Sequence, residues 1–333
     1  MNYERTLGAP MHVTSGSPAA TDRSAPDERT SGAPHGFHQP RVPGNAAASE
    51  RASAAAFEEG AGTGRPASAP ERPHRRLLES TIFVVLATML CFGAAAPAIF
   101  GALPEEMIGV LVPAAQLTPF LAALVMFTVI RPRGFARQFA LGWGRSWRAI
   151  AVGVAVVIAV GFAQLSTGLL TGFEFTAVDA ILLAAVAVPV FWVLQGIFAV
   201  GEELGWRGWL ISRLRGYGFW AIAAVSTVAW MVWHLPAIPL IVGDGGFEVG
   251  LAYLLAIGSW APFMVALRLW SGSVWPAIIV HGALNSVRVF LTQSIAAGSG
   301  VNWFVEGIGW VLWLVAAALL WRFALRRTRT TSR

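Results

Sequence analysis

The chain has 333 residues, of which 56% are hydrophobic and 13% are charged, and its formal net charge at pH 7 is +6. A soluble domain of this length carries about a quarter charged residues, so the composition excludes an ordinary soluble enzyme. All of the positive charge is arginine, because lysine is absent, and the Ala-, Arg- and Gly-rich composition is typical of a bacterial protein. Cys91 is the only cysteine, which excludes intrachain disulfides and cysteine-ligated metal sites.

The first segment, residues 1–75, is rich in Ala, Gly, Pro, Ser and Arg and has almost no large apolar side chains. Such a segment cannot bury enough surface to offset the entropy of ordering it, so we predict a disordered cytoplasmic tail. Four of the six histidines lie in this tail, and we attribute them to its polar composition and not to a metal site: His12, His35, His38 and His74.

Eight apolar runs follow the tail, most of them near the ~20 residues that cross a hydrocarbon core. We therefore predict an all-α, polytopic membrane bundle of about eight transmembrane helices, forming one domain over 76–328. The approximate runs are 77–100, 107–130, 150–170, 180–200 (continued to 212), 219–242, 249–269, 273–292 and 302–325.

Arginine placement predicts the orientation of the bundle. The arginine-rich connections fall on alternate sides of successive runs, whereas the stretches 101–108, 172–179 and 243–248 hold acidic residues and no arginine. Because cytoplasmic loops carry an excess of arginine and lysine, we predict that both termini are cytoplasmic. The positive charge is thus a topology signal, and we expect no nucleic-acid partner.

Ionisable side chains at membrane depth are costly, so each one inside a predicted span is a functional-site hypothesis. At about 1.5 Å of rise per residue, the first carboxylate and two histidines lie at similar depths in three different spans. We expect these spans to bring their polar groups to one level in the cytoplasmic half of the membrane. The candidates are Glu202, Glu203, Arg207, His234, His281, Asn285 and Arg288.

Helical spacing divides the roles of the two carboxylates. Glu203 and Arg207 are four residues apart in the favoured acid-first order, so we expect a structural ion pair. Glu202 points about 100° away from Glu203 and can face the other spans, which makes it the chemical group. Close backbone approach around the site is expected at Gly201, Gly205, Gly208 and Gly282.

The later spans carry the other polar side chains of the predicted site. His281 and Asn285 are four residues apart and share one helical face. Pro236, two residues after His234, is expected to break the helix there and to present the imidazole to a cavity. Arg288 lies on the face of His281, and two roles stay open for it: pairing with Glu306, or lining a substrate path.

Three short motifs together, in this order and on separate spans within 180–292, resemble those of the CPBP (Abi) family of CAAX prenyl endopeptidases and bacteriocin-processing or immunity proteins. The second motif usually begins with Phe, and here an aromatic Trp stands in its place. The motifs are Glu202-Glu203-x-x-x-Arg207, Trp230-x-x-x-His234 and His281-x-x-x-Asn285.

The resemblance implies an intramembrane endopeptidase that hydrolyses a peptide bond of a membrane-associated or lipidated substrate. Glu202 and His234 would hold and activate a water, and His281 and Asn285 would stabilise the oxyanion. The physical chemistry agrees, since a carboxylate in a dry pocket suits a general base and fixed imidazole and amide donors suit a developing oxyanion. The expected partners are the lipid bilayer and a peptide or membrane-protein substrate.

Metal participation stays open at this stage. Glu202, His234 and His281 form a plausible zinc triad. The His-Glu-x-x-His motif is absent, and the eukaryotic-type relatives implied by the resemblance suggest a glutamate mechanism without metal, so we expect no obligatory metal.

Two other function classes stay open as well. One is a proton-coupled transporter in which Glu202 and the histidines relay protons, although transport would usually bring internal repeats and the chain shows none. The other is a non-catalytic membrane scaffold or immunity protein.

Overall fold

The structure, a computed structural model, describes residues 73–104, 107–172, 174–175, 178–242, 245–290, 296–297 and 300–330. The predicted tail lies outside these residues except at its end, because the first helix already begins at Pro73. The tail prediction therefore stays a prediction, and the fold described below is that of the membrane domain.

Helices make up nearly all of the described chain, which confirms the predicted all-α class. The long helices are α1 (Pro73–Ile99), α2 (Ile108–Ile130), α4 (Ser146–Leu170), α5 (Val178–Glu203), α7 (Phe219–His234), α9 (Gly246–Ser271), α10 (Trp275–Val289) and α11 (Trp303–Thr330). The short ones are α3 (Phe135–Gln138), a π-helix (Leu204–Leu210), α6 (Ile211–Arg213), a 3₁₀ turn (Leu235–Ala237) and α8 (Ile238–Val242). Two short strands, β1 (Glu174–Phe175) and β2 (Ala296–Ala297), pair antiparallel.

Within the described residues, seven helical stretches are long and apolar enough to cross a membrane. They are His74–Ile99, Val110–Ile130, Ser146–Leu170, Ile181–Arg213, Phe219–Leu240, Gly246–Ser271 and Trp303–Ala324. The predicted span over 273–292 is described only as far as residue 290, and its helix α10 has 15 residues. This helix packs against α5 and α4.

The lipid-facing and inward-facing sides of the bundle are both apolar. Leu183 and Val186 on α5 are each 74% exposed, as expected of a helix that faces hydrocarbon. Inside, α9 is the most thoroughly buried of the long helices. The largest fully buried side chains include Trp206 and Trp209 of the π-helix and Trp230 of α7. The π-helix and α7 thus lie in the core of the domain, where their polar groups are shielded from solvent.

The arginine-rich connections meet at one face of the bundle. Arg76 Nη1 donates to the carbonyl oxygen of Arg215 at 3.1 Å, and Arg215 Nη2 donates to that of Arg137 at 3.1 Å. Close by, Arg213 pairs with Glu79 of α1 at 3.0 Å. Burial, together with the positive charges of Arg137, Arg213 and Arg76, lowers the pKa of Arg215. The starts and ends of three different predicted spans therefore lie side by side, as their arginine pattern predicts.

Two local expectations about the backbone are confirmed. α7 ends at His234 and gives way to the 3₁₀ turn that contains Pro236. Close approach at the predicted glycines is confirmed as well, since a Cβ added at each would lie 3.0 Å or less from neighbouring backbone: Gly201, Gly205, Gly208 and Gly282. Because no side chain intervenes at these positions, α2 and α5 approach closely where the carboxylates lie.

Candidate active site

The two carboxylates occupy the junction between α5 and the π-helix. Glu202 and Glu203 are the last residues of α5, and the π-helix that follows carries Arg207. Their exposed fractions are 2%, 0% and 0%. π-helical turns occur frequently at functional sites, because the widened backbone shifts the side chains out of ordinary helical register. The sequence gives no sign of this element, since its apolar pattern fits an α-helix equally well.

Glu203 joins two spans through one oxygen. Its Oε1 accepts a hydrogen bond from Arg207 Nη1 at 3.0 Å, so the predicted pair forms and is fully buried. The same oxygen accepts one from His281 Nδ1 of α10 at 2.8 Å. Glu203 therefore does more than neutralise Arg207, because it also fixes the orientation of the His281 ring. The Nε2 of His281 is then the ring nitrogen that stays available to other groups.

Glu202 accepts one hydrogen bond on each carboxylate oxygen. Gln116 Nε2 of α2 donates to Oε1 at 2.9 Å, and Trp230 Nε1 of α7 donates to Oε2 at 2.8 Å. Both donors are neutral, and none of the ion pairs among the described residues includes Glu202. Of the two carboxylates, Glu202 is thus the one whose charge is not taken up by a direct cation partner.

The His234 ring is held by a backbone carbonyl one turn earlier in α7. Its Nδ1 lies 2.8 Å from the carbonyl oxygen of Trp230. A carbonyl oxygen can only accept, so Nδ1 carries the proton and Nε2 is the nitrogen with a free lone pair in the neutral ring. The ring is 92% buried, between Trp233 and Tyr253, whose ring centroids lie 4.6 Å and 5.7 Å from its own. His234 can thus accept a proton or a hydrogen bond at Nε2.

Trp230 lies at the centre of the cluster. Its ring centroid is 5.6 Å from that of His234 and 5.4 Å from that of His281. The Arg207 guanidinium carbon lies 4.2 Å from the same centroid, a cation–π distance. With its N–H bonded to Glu202, this indole touches or bonds every ionisable member of the site except Glu203. These contacts bring Glu202, His234 and His281 together around one indole ring.

Asn285 lies one turn beyond His281 on α10, and it is partly buried. Its Nδ2 donates to Oε1 of Gln195 on α5 at 3.3 Å. It therefore belongs to the same α5–α10 contact as the Glu203–His281 bond, although it bonds none of the other predicted site residues.

Three residues around the site were missed by the sequence analysis, Gln116, Gln195 and Arg268, and so was the donor role of the Trp230 indole. Arg268 Nε donates to the carbonyl oxygen of Arg207 at 2.9 Å and so satisfies backbone of the π-helix. The signal that could have found Gln116 and Gln195 is simple: each is a large amide within an otherwise apolar run. Trp230 was interpreted only as an aromatic ring.

Arg288 is set between aromatic rings further along α10. Its guanidinium carbon lies 5.7 Å from the ring centroid of Tyr253 and 5.4 Å from that of Trp260. The positive charge of Arg288 also interacts electrostatically with the carboxyl group of Glu306 on α11. The Tyr253 ring connects this group to the cluster, because it also packs against His234.

A metal ion needs several donor side chains aimed at one point. In the part of the chain that the structure describes, no group of three or more His, Cys, Asp or Glu side chains is arranged to hold one. Both oxygens of Glu202 already accept hydrogen bonds from protein donors. Glu202, His234 and His281 therefore do not form the plausible zinc triad in their present arrangement, and the expectation of no obligatory metal stays a prediction.

The comparison with known families matches this part of the chain. Residues 181–287 match the family described as Rce1-like, "Type II CAAX prenyl endopeptidase Rce1-like". No curated protein matches the chain. The matched segment contains nearly all of α5 and α10 together with the whole π-helix and α7, and hence every predicted site residue except the candidate Arg288. The family is one of peptidases, so the match favours a peptidase over the transporter interpretation. The match over residues 181–287 supports a CAAX-type intramembrane protease of the CPBP family.

Proposed function

We propose that this membrane peptidase hydrolyses a peptide bond of a membrane-associated or lipidated substrate, with Glu202 as general base. The observation that carries the proposal is the arrangement of three groups around Trp230: the Glu202 carboxylate and the rings of His234 and His281. Each imidazole has its Nδ1 committed to a protein oxygen, so each has its Nε2 left for chemistry.

Glu202 and His234 are suited to bind the attacking water. Both offer acceptors, the carboxylate and the neutral Nε2, so the two hydrogens of one water are held and its lone pairs point away. Glu202 takes one proton as the water oxygen bonds to the scissile carbonyl carbon. When the C–N bond breaks, the same proton passes from Glu202 to the leaving amine, which leaves the carboxylate as it began.

His281 and Asn285 are assigned to the oxyanion. With Nδ1–H on Glu203, His281 donates from Nε2 only as an imidazolium. Charge balance favours that form, because two carboxylates, Arg207 and one imidazolium sum to zero and buried charges need partners. The amide of Asn285 supplies a second donor, and each donor of this kind is worth about 3–4 kcal/mol in comparable sites. Glu203 and Arg207 act by holding His281.

The decisive experiment is cleavage by the full chain in liposomes. We expect the wild type to cut a prenylated peptide or membrane-peptide library and Glu202→Ala and His281→Ala each to lose at least about a hundredfold in kcat/KM. Equal cleavage by all three proteins would contradict the assignment and favour the scaffold alternative.

Two further arms of the same experiment narrow the chemistry. Matched peptides with and without the prenyl group decide whether the lipid is recognised. Chelator treatment followed by zinc add-back tests metal dependence, and we expect activity to be unchanged by both steps.

A further inference from the structure

Glu202 has a hydrogen-bond environment unlike that of its neighbour. Glu203 is matched by two potential cations, whereas Glu202 is 98% buried and is bonded only by the uncharged donors of Gln116 and Trp230. The two donors come from different helices, α2 and α7, and each takes a different oxygen. Hydrogen bonds to an ionised group are about twice as strong as those between neutral groups.

We propose that Trp230 and Gln116 are positioning residues that fix the orientation of the Glu202 carboxylate and the direction of its remaining lone pairs. The proposal rests on the proposed function, in which Glu202 is the base. A carboxylate without such donors could rotate about its side-chain torsions and would no longer aim a lone pair at the water. A cation in their place would bind the proton-accepting oxygen too tightly, as Arg207 binds Glu203. Two neutral donors fix both oxygens and leave a lone pair on each.

The indole N–H distinguishes Trp230 from the Phe that usually begins this motif. A Phe at position 230 would keep an aromatic ring beside Arg207, His234 and His281 but could donate nothing to Glu202. The sequence comparison with the usual Phe motif treats the two aromatic residues as equivalent, whereas the 2.8 Å bond makes them chemically different. Trp230→Phe therefore removes the donor with little change in packing.

The test separates kcat from KM. In Trp230→Phe we expect kcat to fall about tenfold with KM within twofold, as expected when the base loses one hydrogen bond to a charged group and substrate binding is unchanged. Gln116→Met should give a similar loss of kcat, since it removes the other donor at similar length.

The matched control is Trp209→Phe. Trp209 is as fully buried as Trp230 but donates no hydrogen bond to Glu202. The same deletion of an indole N–H there should leave both kcat and KM within twofold of wild type. If Trp230→Phe fails to fold, Gln116→Met tests the proposal on its own.

A second measurement needs no catalysis. The infrared spectrum of the full chain, with the Glu202→Gln spectrum subtracted, isolates the carboxylate stretching bands of Glu202, whose frequencies depend on the hydrogen bonds to its two oxygens. Shifted bands in Trp230→Phe support the proposal even if the protein cleaves nothing, in which case only the proposed function fails. Bands and a kcat that both coincide with wild type in Trp230→Phe would overturn it.

Discussion

At the scale of single residues, Glu203 holds the site together. One of its oxygens bonds Arg207 within its own chain segment and His281 across the bundle. All three side chains are at least 96% buried, so the carboxylate compensates charge where water cannot. Breaking one partner out of a buried ion pair leaves an uncompensated charge, which costs far more than the pair itself contributes.

We therefore predict that Glu203→Gln lowers the free energy of unfolding by about 3–5 kcal/mol, because Arg207 keeps its charge without a carboxylate. Cleavage should be lost as well, since His281 is no longer oriented. Denaturation in detergent micelles measures the first effect. In Glu203→Gln/Arg207→Met, where neither charge is present, most of the stability should return while activity stays lost. A single mutant as stable as the wild type would refute this account.

The residue-level predictions succeeded where partners are local and failed where they depend on packing. Spacing along one helix was enough for the Glu203–Arg207 pair. It could not show the His281 partner, because the angle at which α10 crosses α5 is not encoded in either segment alone. The donors to Glu202 were missed for the same reason, since Gln116 lies 86 residues away in the chain.

At the scale of elements, the contact between α2 and the π-helix depends on missing side chains. A Cβ at Gly205 would lie 2.5 Å from the Cβ of Pro119 and 2.7 Å from its carbonyl carbon. Backbone cannot rotate out of the way as a flexible side chain can, so α2 would have to move. Because Gln116 is one turn from Pro119 on α2, such a movement also alters its bond to Glu202.

Gly205→Ala should destabilise the domain by about 1–3 kcal/mol, the usual cost of overpacking, and reduce cleavage. The matched control is Gly93→Ala on α1, where an added Cβ meets nothing within 4 Å. That change should be neutral or slightly stabilising, since Ala favours a helix over Gly by about 1 kcal/mol. Thermal unfolding of the two variants side by side measures the difference. Equal melting temperatures would contradict the close contact.

The positions of the helices could be predicted better than their type, α-helix or π-helix. Apolar length located the long helices, and Pro236 marked the end of α7, because a proline cannot continue the helical hydrogen bonds. The π-helix escaped prediction because its seven residues have an ordinary helical composition. The end of the predicted span over 273–292 stays a prediction, because residues 291 and 292 lie outside the described part of the chain.

At the scale of the whole molecule, the predicted arrangement of arginines on one face is the strongest sequence-derived topology signal. The contacts of Arg76, Arg137 and Arg215 place the corresponding connections together. The arginine pattern alone predicts that these connections share a face, because charge is excluded from the hydrocarbon core wherever the helices lie. The assignment of that face to the cytoplasm remains a prediction.

Cysteine labelling can check the orientation. Cys91 is buried, so after Cys91→Ala single cysteines can be introduced at Gly142, on the arginine face, and at Ala102, at the opposite end of α1. Applied to intact cells, a membrane-impermeant thiol reagent should label the cysteine at Ala102 and spare the one at Gly142. Permeabilised cells, in which both should react, are the control. The reverse pattern would invert the proposed topology.

The burial of the cluster has a consequence for how a substrate arrives. Glu202, His234 and His281 are 2%, 8% and 3% exposed, so a peptide and a water reach them only after the helices that cover them move apart. Collective movements of packed helices take microseconds to milliseconds. Access to the site, and not the chemical step alone, then becomes a determinant of turnover in its own right.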